Sequence, residues 1–406
     1  MENQLLFNSP YELDKASKTK YLNEQLCELT RHHYDSCELY RAMLDARGFD
    51  LDGFEQGIKN SDEQGSAKTI EQDTIGLHNF NYTDIPFLPV RLFKEYDLKS
   101  ISDDEVVKTM TSSGTTGQTR SRIYLDKQTS ANQTKVLTSI VSDYIGKKRL
   151  PMIVLDTSAV IKDRRLFTAR GAGILGFSIF ARERFFAFDE DMNLDIEGLK
   201  AFLEKYKGQK IFLFGFTFMI WQYFVREIQK LDSAVVNRSI DGSDSSKESL
   251  DSSENKYIFD LSNGVLIHGG GWKKLESEAV SSEEFKKTLK SLCGIEHVHD
   301  YYGMVEQTGT IYMECDEGHM HVPVYSDIII RRPLDYSEAD IGEEGLVEVV
   351  SVLPHSYPGH VLLTEDRGVV LGEDDCPCGR KGKYIKILGR IKNAEIRGCS
   401  DTFEKK

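Results

Sequence analysis

The chain of 406 residues is short of basic charge: 51 lysines and arginines face 65 aspartates and glutamates, a formal net charge of −14. A general nucleic-acid binder needs a basic face to displace counterions, so no nucleic-acid partner is expected. Long hydrophobic runs are also missing. The most apolar stretch, IFLFGFTFMIWQYFV from Ile211 to Val225, falls short of the ~20 residues of a spanning helix and reads as a buried strand followed by a helix start. No transmembrane segment is expected. The opening MENQLLFNSPYELDKASK carries early charges and no long apolar core, so no secretory signal is expected either. The seven cysteines, Cys27, Cys37, Cys293, Cys315, Cys376, Cys378 and Cys399, are an odd number. That count suits a reducing compartment, and the expectation is a cytoplasmic protein.

What is present is ordinary globular material, with 40% hydrophobic and 29% charged residues and length for two or three packed units. Residues 1–100 are expected to form a largely helical segment packing on the core: Leu22, Leu26, Leu29 and Tyr34, Leu39, Met43 recur at helical intervals. Pro86 and Pro89 then stop any helix. Residues 101–325 alternate apolar strands, such as LPMIVLDTS and KIFLFGFTF, with helical stretches, the signature of an α/β fold. Within them, 233–256 is rich in Ser, Asp and Lys and reads as a disordered insertion. Residues 326–406, with GLVEVVSV and HVLLTEDRGVVL, read as a β-rich subdomain of short antiparallel strands.

The loop SSGTTGQTRS, Ser112 to Ser121, is the first candidate site. Glycines let a backbone turn its N–H groups onto an anion; the hydroxyls and Arg120 add donors and a positive charge. The Gly-Lys-Ser/Thr ending of a Walker A loop is absent. Read alone, the stretch is equally a flexible Ser/Gly turn.

Further motifs make the sequence resemble the adenylate-forming superfamily of acyl-CoA synthetases and their relatives. That family's phosphate loop is matched by Ser113-Gly114-Thr115-Thr116-Gly117, with Thr119-Arg120 in place of the usual Pro-Lys. Its adenine-side glycines are matched by Gly269, Gly270 and Gly271 within HGGGWK. Its Tyr-Gly-x-Thr-Glu appears as Tyr302-Gly303-Met304-Val305-Glu306, with Val305 replacing Thr. Its Thr-Gly-Asp appears as Thr364-Glu365-Asp366, and the Gly-Arg that follows as Gly389-Arg390. The resemblance implies ATP as substrate, Mg²⁺ held by Glu306, the ribose hydroxyls gripped by Asp366, and the phosphates met by the loop and Arg120. It implies the large-domain α/β fold of these enzymes, layered α/β subdomains plus a small β-rich one.

Typical members continue past the Gly-Arg hinge into a lid domain. This chain stops sixteen residues after Arg390, so that lid is expected to be lacking. One branch ends the same way. IPFLPVRLFK, SSGTTGQTRS, FGFTFMIW, HGGGWKK, YYGMVEQTG and the terminal EIRGCSD resemble the acyl-protein synthetases, also called long-chain-fatty-acid–luciferin-component ligases. The resemblance implies a fatty acid activated as acyl adenylate, its transfer to Cys399 as a thioester, and an acyl-accepting partner such as a fatty-acid reductase. Two other readings stand beside it: a phenylacetate-type acyl- or aryl-CoA or carrier-protein ligase, and an inactive nucleotide-binding scaffold.

Finally, Cys315, His321 (or His319), Cys376 and Cys378 offer a sulfur-and-imidazole set suited to structural Zn²⁺, the alternative being unrelated loop thiols. Phe212, Phe214, Phe216, Phe218 and Trp221 suit either an acyl-pocket wall or plain strand core.

Overall fold

The structure is a computed structural model that describes residue 5 and residues 7–63, 80–112, 120–162, 169–240 and 257–391. Two compact units emerge from the contacts. The first joins residues 1–144 to 302–395, and the second takes the intervening 145–301.

The first unit opens with helices α1 (Lys15–Ser36), α2 (Glu38–Ala46) and α3 (Leu51–Glu63). The Asp14 side chain caps α1 by accepting from the Ser17 N–H at 2.9 Å. Leu22, Leu26 and Leu29 fall on its buried stripe, and the first two join Phe54, Ile58, Tyr82, Ile329, Val350 and Val361 in one core. After the prolines come β1 (Leu88–Pro89), the hairpin β2 (Lys108–Thr111) and β3 (Arg122–Leu125), and helix α4 (Lys127–Ile145).

The second unit is a parallel sheet of β4 (Leu150–Thr157), β5 (Ala181–Phe188), β6 (Ile211–Phe216), β7 (Gly264–Gly269) and β8 (His297–Tyr302), in the order β5-β4-β6-β7-β8. Ile153, Leu213, Leu266 and Val298 run in register across four strands. Strands buried on both faces read as continuous apolar runs, which is why IFLFGF is buried throughout. Between the strands lie α5 (Ala169–Phe177), α6 (Ile196–Lys205), α7 (Arg226–Ile240) and α8 (Ser282–Cys293). Helix α7 runs on through 233–240, the first residues of the expected insertion. Residues 241–256 lie outside the described residues.

The chain returns to the first unit through β9 (Tyr312–Glu314), β10 (Met320–His321), β11 (Ser326–Arg331), β12 (Glu344–Ser351), β13 (Val361–Glu373) and β14 (Lys383–Arg390). These pair antiparallel in the order β11-β12-β13-β14-β10-β9. β1 adds to β13 in parallel, Leu88 opposite Leu362.

Candidate functional site

The hairpin β2–β3 carries the phosphate-loop motif between its strands. Its last cross-strand pair is Thr111 with Arg122. Beyond it the Ser112 N–H donates to the Ser121 carbonyl at 3.2 Å, and the Ser121 N–H donates to Ser112 Oγ at 2.9 Å. The neck of the loop is therefore tied on both sides. Ser113, Gly114, Thr115, Thr116 and Gly117 lie outside the described residues, as does Cys399. Arg120 is exposed beside the neck, whereas Ser121 is fully buried.

Glu306 sits on a short 3₁₀ turn, Val305–Gln307, directly after β8. Two neighbours anchor that turn. Gln307 Nε2 donates to the carbonyls of Val349 (3.1 Å) and Gly359 (2.9 Å), and the Tyr357 hydroxyl donates to the Glu306 carbonyl at 2.9 Å. Burial pushes the Glu306 carboxyl above the usual carboxylate range; the Ser121 hydroxyl and the Arg390 charge work against that, while Asp366 adds to it. A buried carboxylate whose ionisation burial opposes gains from a cation placed beside it.

Asp366 lies mid-way along β13, opposite Arg390 at the end of β14. Its backbone N–H donates to Thr364 Oγ1 at 3.1 Å, and that hydroxyl donates to the Val347 carbonyl at 2.8 Å. One carboxylate oxygen accepts from the Tyr302 hydroxyl at 2.6 Å; the other stands 3.5 Å from Arg390 Nε. Residues from three motifs thus come together within the first unit: Tyr302, Asp366 and Arg390 in contact, and Glu306 near enough to feel the charges of the last two. Nothing in the motif pattern signals that Ser121, Gln307 and Tyr357 support it, because those contacts join residues far apart in sequence.

In the second unit, Gly269 closes β7 at the carboxyl end of the parallel sheet, the edge where ligands bind in α/β folds. A Cβ there would stand 2.7 Å from the Tyr301 ring and 3.0 Å from its carbonyl oxygen, so only glycine fits. Gly270 and Gly271 follow with φ of +86° and +62°. His268 is a structural group: Nδ1 pairs with Thr217 Oγ1 at 2.9 Å, and burial pulls its pKa down to about 3. Trp221, on a π-helical turn Ile220–Val225, meets Trp272 edge-on at 5.5 Å. Phe212, Phe214 and Phe216 are fully buried against neighbours such as Phe177, and are core.

The cysteine–histidine set converges in the first unit. The ligating atoms of Cys315, His321, Cys376 and Cys378 all lie within 4.8 Å of one another. Cys315 Sγ is 4.0 Å from Cys376 Sγ, and Cys378 Sγ is 3.2 Å from His321 Nε2. A tetrahedral zinc with S and N ligands has edges of roughly 3.6–3.8 Å, so the spacing fits. Burial holds His321 neutral, its pKa pulled down to about 3, the form that ligates. His319 stacks on Tyr384 and places Nδ1 3.3 Å from Cys376 Sγ, beside the set.

The family described as acyl-protein synthetase, LuxE, matches residues 73–235 and 253–406. The chain belongs to that family. A long-chain-fatty-acid–luciferin-component ligase of Vibrio harveyi is 24% identical over 331 residues, covering 78% of this chain and 76% of the relative. The ligase of the same name from Aliivibrio fischeri is 26% identical over 138 residues, 33% of this chain and 36% of the relative. Among solved structures, an open conformation of 2-hydroxyisobutyryl-CoA ligase with its acyl-AMP and CoA superposes with a TM-score of 0.60 at 14% identity. It covers 95% of this chain and 77% of that one. The acyl-protein synthetase therefore has the mixed α/β fold of the adenylate-forming ligases, and it is an enzyme of the ligase class. No helix among the described residues is long and apolar enough to cross a membrane.

Proposed function

We propose that this acyl-protein synthetase uses ATP to activate a long-chain fatty acid as acyl adenylate, then takes the acyl group onto its own Cys399 and delivers it to a partner protein such as a reductase. The observation that carries the reading is the meeting of Tyr302, Glu306, Asp366 and Arg390 around one point of the first unit. A fatty carboxylate is already ionised near pH 7, so attack on the α-phosphorus needs no general base. It needs positioning and neutralised charge. Glu306 would hold Mg²⁺, which offsets phosphate charge; Asp366 would take the ribose, and Arg120 with the loop would meet the phosphates. In the first step a carboxylate oxygen bonds to the α-phosphorus and pyrophosphate leaves. In the second the Cys399 thiolate attacks the acyl carbon, AMP leaves, and the thiol proton goes to solvent.

Labelled fatty acid and ATP test the whole sequence. The expected result is a label on the protein that hydroxylamine removes and Cys399→Ala abolishes. A hydroxylamine-labile label surviving in Cys399→Ala would sink the cysteine assignment, and acyl-CoA formation by the purified chain would favour the CoA-ligase reading.

The cysteine–histidine set supports a second assignment, a structural Zn²⁺ on Cys315, His321, Cys376 and Cys378. Four protein ligands fill a tetrahedron and leave no position for substrate, so the metal would fasten the β9–β10 turn to the loop between β13 and β14.

A further inference from the structure

Residues 352–360, which join β12 to β13, bond to both halves of the candidate site. Two neighbours within this connector reach different elements. The Ser356 hydroxyl donates to the Tyr124 carbonyl at 2.8 Å, on the β3 strand of the hairpin that carries the phosphate-loop motif. The Tyr357 hydroxyl donates to the Glu306 carbonyl at 2.9 Å. Gly359 runs against the same turn: a Cβ there would stand 3.1 Å from the Glu306 carbonyl oxygen, and Gln307 Nε2 binds the Gly359 carbonyl in return. The buried Ser121 hydroxyl, at the neck of the hairpin, lies near enough to favour the ionised Glu306 carboxyl.

The connector is itself held from behind. Ser356 and Tyr357 are fully buried, and the Ser100 N–H donates to the Ser356 carbonyl at 2.9 Å. The Tyr357 ring meets Phe93 edge-on at 5.9 Å. A carbonyl only accepts, so the buried His33 on α1 carries a proton on Nε2 and donates to the Pro354 carbonyl at 2.9 Å. Its Nδ1 pairs with Ser100 Oγ at 2.7 Å. At the other end His360 stacks on His33, its Nε2 3.1 Å from Thr30 Oγ1 and 3.2 Å from the Tyr40 hydroxyl. Helices α1 and α2 thus hold the connector at both ends, and groups already held need no ordering when a ligand arrives.

We infer that the connector is a strut between the phosphate-loop hairpin and the Glu306 turn, with Ser356 a positioning residue for cation binding. The inference rests on the adenylate reading, in which the hairpin and Glu306 grip one Mg²⁺–nucleotide from two sides. Such a grip is strong only while its two sides keep their spacing. Losing the Ser356 hydroxyl unties the hairpin from the strut; losing the Tyr357 hydroxyl unties the turn. Either loss weakens cation binding, while the reaction at saturating cation keeps its rate.

Ser356→Ala and Tyr357→Phe, singly and together in the full chain, test this in two ways. The first is pyrophosphate exchange with ATP and tetradecanoate, followed against Mg²⁺ concentration. Each variant is expected to raise the half-saturating Mg²⁺ about fivefold and to keep the saturated rate within about twofold. Because either change unties the strut, the double variant should do no more than the worse single one. The second is amide hydrogen exchange without metal or nucleotide, where the β2–β3 hairpin should exchange about fivefold faster in Ser356→Ala. An unchanged half-saturating Mg²⁺, a rate loss equal at every Mg²⁺ concentration, or effects that multiply in the double variant overturns the inference alone. If Ser356→Ala does not fold, Ser356→Cys keeps the shape with a weaker donor and is read the same way. Wild type that fails to exchange pyrophosphate overturns the adenylate reading; unaltered β2–β3 amides in Ser356→Ala overturn the strut whichever way that falls.

Discussion

The two units handle charge in different ways. In the second unit the central strands β4, β6 and β7 are largely apolar and buried, and its fully buried ion pair among the described residues is Asp156 with Arg170, bound side by side between the end of β4 and α5. The first unit buries charge repeatedly. Asp327 accepts from Lys383 and Tyr82 with Lys18 close by; Glu348 holds Arg331; Glu306 stands near Arg390. It also stacks imidazoles, the buried His33 on His360 at 4.8 Å and the half-buried His32 on His355 at 3.9 Å. The lesson is that the antiparallel unit is built to stabilise ions in its interior, and the candidate charged site is one instance of a general habit. The parallel unit supplies shape and backbone, its glycines included.

That contrast can be broken or sharpened by experiment. The largest effect is expected from the metal set: Cys315→Ala should abolish a stoichiometric zinc content and lower the melting temperature by roughly 10 °C or more. Wild-type protein purified without chelator and free of zinc would remove that assignment. Next comes the buried Asp156–Arg170 pair of the second unit, where Arg170→Met leaves Asp156 uncompensated and should cost about 3–5 kcal/mol. Denaturant midpoints followed by tryptophan fluorescence read this unit directly, because both tryptophans, Trp221 and Trp272, lie in it.

Acid should separate the units. Burial pulls the His360 pKa down to about 3 and places His33 well below its ordinary range. The unfolded chain binds those protons first, near pH 6.5, so stability is full above that value and falls as pH drops toward the folded-state values. A histidine contributes about 1.4 kcal/mol per pH unit, so at pH 5 His360 costs the first unit about 2 kcal/mol and His33 adds to that in the same direction, against about 2 kcal/mol for His268 in the second. Loss of far-ultraviolet dichroism should therefore precede the tryptophan shift; simultaneous transitions would contradict the difference. The smallest effect is local. Gly269→Ala forces a Cβ onto the Tyr301 carbonyl and should destabilise the second unit by about 1–3 kcal/mol, read by the same fluorescence midpoint.

Much of this was legible in the sequence, for identifiable reasons. Parallel strands such as IFLFGF announce themselves because both faces are buried. Tyr302-Gly303, Glu306 and Asp366 stand out because short motifs keep residue type and spacing together. What stayed hidden depends on contact across long separations. The Gln307 tether to Gly359, 52 positions away, and the bond from Tyr302 to Asp366, 64 positions apart, have no local pattern. The imidazole stack draws on positions 32, 33, 355 and 360, and single histidines on a helix carry no hint of it. Linear division of the chain into 1–100, 101–325 and 326–406 likewise contains no information about which segments touch.

The discontinuous first unit sets an order for synthesis. His33 finds the Pro354 carbonyl 321 positions later, which at ribosomal speeds is a wait of roughly 16–64 s. Residues 145–301 are contiguous and can close before the chain is finished, whereas Leu22, Leu26 and Phe54 emerge with no sheet to cover them. A nascent chain halted once β8 has emerged would hold the parallel sheet behind a sticky helical leader. The apolar face of α1–α3 is then the place where a chaperone, or aggregation, would first take hold.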